Sequence, residues 1–212
     1  MPVCSYHIKM PVEHRTRRAG GARRTAVVEA VAGVLAERGY ENTRFADVAA
    51  ASGAAISTLQ NYFGSREDML IEALRHATEI EVGALEAVAD AENDPWNRLV
   101  AMIDRNLNTP VRNHQLLIEF WRSGIRDQEL RDYGEEGWSR YRAPFVRTVI
   151  AGRDAGVFTP VVAPEEVVDL LFATLVGAMI PRVLRFPDWS ADGFRTALLR
   201  QVAEMLGRPG YQ

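Results

Sequence analysis

Cysteine occurs once in the 212 residues, as Cys4. That excludes a disulfide framework and a thiolate-held metal, and it suits a reducing cytoplasmic compartment. Histidine is scarce, and His7, His14, His76 and His114 show no ligand spacing. An apolar leader is missing too, because the first residues mix polar and charged groups. The most apolar stretch, 167–184, holds only about a dozen uncharged residues between Asp169 and Arg182, well short of the roughly 20 that a bilayer core requires. No lysine follows Gly20-Gly21 to make a phosphate cradle, and no glycine cluster has dinucleotide-binding spacing. Glu135-Glu136 and Glu165-Glu166 read as a solvated face and a helix start rather than as acid–base pairs. No segment alternates like a strand. With no nucleophile–base pair either, an enzyme is excluded, no cofactor or metal is implied, and the expected fold is all-α.

What is present is unevenly charged. The formal net charge is −3, against the strongly basic footprint usual for nucleic-acid binders. Residues 1–70, however, carry nine basic against seven acidic side chains, and 71–212 carry sixteen against twenty-one. Near the start, Lys9, Arg15, Arg17, Arg18, Arg23 and Arg24 face only Glu13. Residues 1–22 have no periodicity and contain Pro2, Pro11, Gly20 and Gly21, so they read as a disordered basic arm, with Met10 an alternative start. The arm either adds phosphate contacts or is a solvated tail.

From Arg23 to Arg38 the positions Val27, Val31, Val34 and Leu35 form a helical stripe that Gly39 stops. Tyr40 and Phe45 close a small core, and Thr43 is the expected N-cap of a second helix carrying Ala46, Val48, Ala49 and Ala50. Ser52-Gly53 makes a turn, because glycine accepts the positive φ of a sharp helix exit. Ile56, Leu59 and Phe63 then recur on one buried face and leave Ser57, Gln60 and Asn61 outside. Short, uncharged polar side chains on an exposed helix suit hydrogen bonding to base edges in a major groove. The pattern is a helix-turn-helix within 23–68.

Ser65, followed by Glu67 and Asp68, caps a fourth helix that runs through Met69, Leu70, Leu74 and Ile80 to about Ala89. Asp94-Pro95, Thr109-Pro110 and Ala163-Pro164 mark later helix starts. Helices are expected over 95–108, 110–124, 127–156, 164–185 and 190–206, about nine in all, with a kink or break before Pro144. Residues 69–212 form an all-helical body. Ala173, Gly177 and Ala178 permit close helix approach, and Phe194, Leu198, Val202 and Met205 stripe the last helix. Those two helices suit either a four-helix bundle with a second copy, making a homodimer, or an intrachain core.

The order of elements resembles the TetR family of bacterial transcriptional regulators. The head residues that carry the resemblance are Gly39-Tyr40, Thr43, Asp47-Val48-Ala49, Ser52-Gly53, Thr58-Leu59, Tyr62-Phe63 and Ser65-Arg66-Glu67-Asp68. Glu119-Phe120-Trp121, Arg126-Asp127 and Glu129-Leu130-Arg131 carry it in the body. The resemblance implies that Ser57, Gln60 and Asn61 reach bases while Thr58, Tyr62 and Arg66 hold phosphates. Three positions depart from the family pattern: Gln60 stands where tyrosine is common, Arg44 where a small hydroxyl residue is common, and Arg66 in place of lysine. Glutamine can bond adenine in two places, and Arg44 offers phosphate a cation.

The resemblance further implies a small-molecule effector bound in the body and released operator DNA. The candidate lining is Leu99, Met102, Ile103, Asn106, Leu117, Phe120, Trp121, Tyr141, Phe145, Phe172 and Val176. That mixture suits an apolar effector oriented by Asn106 and Tyr141, with Arg105 and His114 on the surface. The implied protein is a homodimeric, cytoplasmic repressor of a palindromic operator. The alternatives are an activator without an inducer or a helical interaction module.

Overall fold

The computed structural model describes residues 17–208, and every regular element among them is an α-helix. In chain order they are α1 (Arg17–Arg38), α2 (Phe45–Ser52), α3 (Ile56–Phe63), α4 (Arg66–Asp90), α5 (Pro95–Leu107), α6 (Val111–Gly124), α7 (Gln128–Asp154), α8 (Pro164–Val183) and α9 (Ala191–Met205). The starts are chemically marked. The Ser65 hydroxyl accepts the Asp68 N–H at 2.9 Å, Asp94 accepts Asn97 at 2.9 Å, Asp127 accepts Leu130 at 3.1 Å and Ser190 accepts Gly193 at 3.1 Å. Each bond satisfies a first-turn donor that has no partner within its own helix.

Three boundaries differ from expectation. Residues 1–16 of the expected arm, with Cys4 and Met10, lie outside the described residues, whereas 17–22 extend α1 upstream through Gly20-Gly21. The N-cap of α2 is Arg44 rather than Thr43. Thr43 is buried and turns its hydroxyl back to the Gly39 carbonyl at 2.8 Å, and the Asp47 carboxylate accepts the Arg44 N–H at 3.0 Å. Finally, α7 passes Pro144 as one unbroken helix. The backbone bond that proline removes falls at the exposed Arg140, while Phe145, Thr148 and Val149 are buried just beyond and hold the helix in place.

Two cores follow. The head packs Val27, Val31 and Leu35 of α1, Val48 of α2 and Leu59 and Phe63 of α3 against Met69 and Leu70 of α4. The body buries Leu99, Met102, Phe145, Phe158, Leu171 and Leu199 among α5, α7, α8, α9 and the second half of α4. Helix α6 joins the head core through Leu116 and Phe120 although it belongs to the body in sequence. No described helix is long and apolar enough to cross a membrane.

Candidate nucleic-acid interface and body cavity

The turn between α2 and α3 is built from its own residues. Gly53 sits at φ +68° with its N–H on the Ala49 carbonyl at 2.9 Å, and the Ser52 hydroxyl accepts the Ala54 N–H at 3.2 Å. Leu59 and Phe63 then face inward. On the outer side Ser57, Gln60 and Asn61 are exposed, and their side chains make no hydrogen bond to other described residues. Thr58 and Tyr62 are half-buried, and Arg44 is exposed at the start of α2. One residue departs from the sequence reading and a second carries contacts that it did not foresee. Ile56 is 45% exposed instead of packing with Leu59, because it occupies the first position of α3, beyond the edge of the head core. Arg66 is already engaged: its guanidinium lies 4.9 Å over the Tyr40 ring, donates to the Glu41 carbonyl at 3.2 Å and pairs with Glu67 at 3.5 Å. It bolts α4 to the α1–α2 turn.

The body holds a partly open cavity of about 160 Å³ between α4, α6, α7 and α8. Of the expected lining, Asn106, Leu117, Phe120, Trp121, Tyr141, Phe172 and Val176 face it. Leu99, Met102, Ile103 and Phe145 do not; they share a helix face with Asn106 or Tyr141 but lie further along it, almost wholly buried in the packed body core. Arg105 and His114 are not surface groups. His114 is buried and lines the cavity, and Arg105 is half-buried against Glu81 at 2.8 Å. Residues that sequence reading passed over include Glu81, Asn113, Tyr133 and Trp138. One signal was available, since Leu74, Ala77, Thr78 and Glu81 follow helical spacing along a single face of α4. Gly134 and Gly137 lie inside α7 and line the cavity; a Cβ at Gly134 would sit 3.1 Å from the Phe120 ring.

Polar groups on the wall are tied together. Glu81 takes Arg105 on one oxygen and Asn113 on the other, each at 2.8 Å, and Asn106 donates to the Tyr141 hydroxyl at 3.1 Å. Burial, helped by the nearby Arg182, pulls the His114 pKa down to about 4, so its imidazole is neutral at physiological pH. Burial also pushes the Tyr141 hydroxyl up, against an opposing hydrogen bond from Asn106.

Cavity and head share a wall. Leu74 and Phe120 line the cavity and belong to the head core. Nearby on α6, Glu119 accepts the Tyr40 backbone N–H in a short hydrogen bond and takes Arg122 at 2.7 and 3.0 Å. Gly39 makes this approach possible: its φ is +78°, and a Cβ there would lie 3.0 Å from a Glu119 oxygen. The Arg122 hydrogen bond holds the Glu119 carboxyl below its ordinary pKa, outweighing desolvation, with the Tyr40 amide adding to the effect.

Comparison with known proteins agrees with this arrangement. Residues 27–73 match the family of bacterial regulatory proteins described as the tetR family, and 95–207 match the C-terminal domain of BetI-type transcriptional repressors. The HTH-type transcriptional regulator YfiR of Bacillus subtilis is 25% identical over 194 residues, covering 87% of this chain and 88% of its own length. The HTH-type transcriptional repressor KstR2 of Mycobacterium tuberculosis is 25% identical over 141 residues, covering 66% and 70%. Among solved structures, a protein of Saccharomonospora viridis described as a transcriptional regulator, in complex with choline, superimposes with a TM-score of 0.78. It is 26% identical, over 87% of this chain and 96% of that one.

Proposed function

The chain belongs to the TetR family of bacterial transcriptional regulators, and from that premise we propose that it is a homodimeric repressor that an effector releases from a palindromic operator. The observation that carries this reading is the wall shared by cavity and head: Leu74 and Phe120 touch both the cavity and the core behind α3. A molecule that displaces Phe120 moves the surface on which the head rests. The choline held by the Saccharomonospora viridis protein supports a small-molecule role for a body of this kind. The effector here presents a mainly apolar surface to the lining. Two copies, joined through α8 and α9, set two α3 helices against successive major grooves, about 34–36 Å apart or a multiple of one helical turn. The effector favours a conformer with different spacing, which shifts the population away from DNA.

Selection of binding sites from random DNA tests the reading, with and without Gln60→Ala. The wild type is expected to enrich a palindrome. Gln60→Ala is expected to relax one position in each half-site by about 1–3 kcal/mol, the worth of a good bidentate contact. No enriched palindrome would overturn specific DNA readout; an unchanged motif from Gln60→Ala would remove Gln60 from the reading face.

The Glu119 link makes a separate prediction. Hydrogen bonds to charged groups are worth about 1.5–3 kcal/mol, so Glu119→Ala is expected to speed amide exchange at Tyr40 about tenfold or more. Because the folded-state pKa of Glu119 is depressed, the link is intact at neutral pH and is lost only as pH falls through that lowered value. Unchanged exchange at Tyr40 would show that head and body communicate elsewhere.

A further inference from the structure

We infer that Ile56 is a fourth reading residue of α3, one that recognises a thymine in each half-site by packing on its 5-methyl group in the major groove; this rests on α3 being the DNA-reading helix of the proposed repressor. Among the described residues of the head, Ile56 is the one large apolar side chain left exposed, at 45%. Packing does not account for it. Leu59 and Phe63 fill the head core from the same helix at 0% and 7% exposure, and Ile56, at the first position of α3, has no place in that core. An isoleucine left in water there keeps an apolar surface that folding has not used.

Its surroundings select the partner. Ile56 and Gln60 are four residues apart and stand one above the other on one flank of α3, with Ser57 and Asn61 beside them, all exposed. Ala55, just before the helix, is exposed too and carries only a methyl group, so the corner is open to an approaching surface. Residues at the N-terminal end of a recognition helix are the ones that meet base edges. In the major groove those edges present donors and acceptors at every base pair and a single kind of apolar group, the thymine methyl. Ser57, Gln60 and Asn61 can satisfy the polar groups. The Ile56 side chain has no atom that can, and it matches the methyl. A cytosine in the same place would set its amino group against the isoleucine and leave that donor without a partner.

The spacing places the thymine. One helical turn advances about 5.4 Å and one base pair about 3.4 Å, so the thymine read by Ile56 lies one or two base pairs from the position read by Gln60. Since glutamine pairs well with adenine, each half-site should carry an adenine and a thymine within three adjacent base pairs. Covering one methyl group is expected to raise affinity about fourfold, and two half-sites together about fifteenfold.

Fluorescence anisotropy on the full chain tests this with the selected operator and with duplexes in which thymines are replaced by uracil, a symmetric pair at a time. Uracil removes the methyl and keeps every hydrogen-bonding group. At the pair one or two base pairs from the position that Gln60→Ala relaxes, uracil is expected to weaken the wild type about fifteenfold. Ile56→Ser is expected to bind the thymine and uracil duplexes equally, and Ile56→Val, which keeps a branched apolar surface, to retain most of the preference. The readout is a ratio between two duplexes on one protein, so a general loss of folding or affinity in a variant cancels. An effect of uracil on duplex shape would persist in Ile56→Ser, and that result would overturn the inference. A wild type that enriches a palindrome yet tolerates uracil at every position would also overturn it, leaving α3 as the reading helix without Ile56. If no palindrome is enriched, specific DNA readout falls and the role of Ile56 falls with it.

Discussion

Gly177→Arg is expected to leave a folded monomer whose operator affinity has fallen about a hundredfold or more. The argument begins with the outer face of α8. Leu170 and Ile180 are 52% and 46% exposed, and Ala173 and Gly177 lie open between them. Beyond the helix end Leu184 and Phe186 continue the apolar surface. Small residues between larger apolar ones let another helix approach closely, and two copies meeting at this face would bury all of it in a symmetric contact. Within one chain a Cβ at Gly177 meets nothing within 4 Å, so a larger side chain there is accommodated. Arginine is also a better helix former than glycine, by somewhat under about 1 kcal/mol, so the folded chain should not suffer. In the proposed dimer it would set two cations against each other across the interface. Losing the second half-site removes the avidity gain, which runs from about 10² to 10⁴. Sedimentation and operator titration by fluorescence anisotropy read both effects. A variant that remains dimeric and binds the operator as before would place the interface elsewhere.

The helix starts were legible because capping is local chemistry: Ser65, Asp94, Asp127 and Ser190 each satisfy a donor three residues on. Thr43 shows the limit. It has the right side chain for an N-cap, but the carbonyl of Gly39, one turn back, offered its hydroxyl a buried partner, and Asp47 closed the helix start from within. Pro144 shows another. Proline's cost is local, whereas the burial of Phe145 and Val149 that offsets it depends on α4 and α5 being in place. Reading α3 worked for Leu59 and Phe63 and failed for Ile56, since periodicity gives a face but not where the core ends.

The cavity was only half legible for a related reason. Apolar side chains that line a space and those that fill a core are the same residue types, and only their position along each packed helix separates them. On α5, Leu99, Met102, Ile103 and Asn106 share one face, yet the first three lie in the core and Asn106, near the helix end, reaches the cavity. The most informative lining group, Glu81, looks in sequence like any other acidic residue on a helix surface. Arg105 and Asn113, distant in sequence, are what make an acid tolerable at that place.

Phe145→Ala follows from that separation and is expected to cost about 3–5 kcal/mol of stability, the range for emptying a buried phenylalanine site. Phe145 is 0% exposed and meets Phe172 edge to face at 5.1 Å. The space it would leave is walled by α4, α5 and α8, which are themselves fixed by Leu85, Leu99 and Leu171, so little collapse can relieve it. Trp138 also meets Phe172, from two turns earlier on the same helix where it is 40% exposed, and Trp138→Ala is expected to change stability by under about 1 kcal/mol. Urea unfolding of the two variants makes the comparison. Equal losses would mean that cavity and core are one packed unit, and an effector could then enter only by unpacking the body. Unequal losses mean that Phe172 is supported from behind by Phe145 and left free in front, the condition for a ligand site that opens without melting the helices around it.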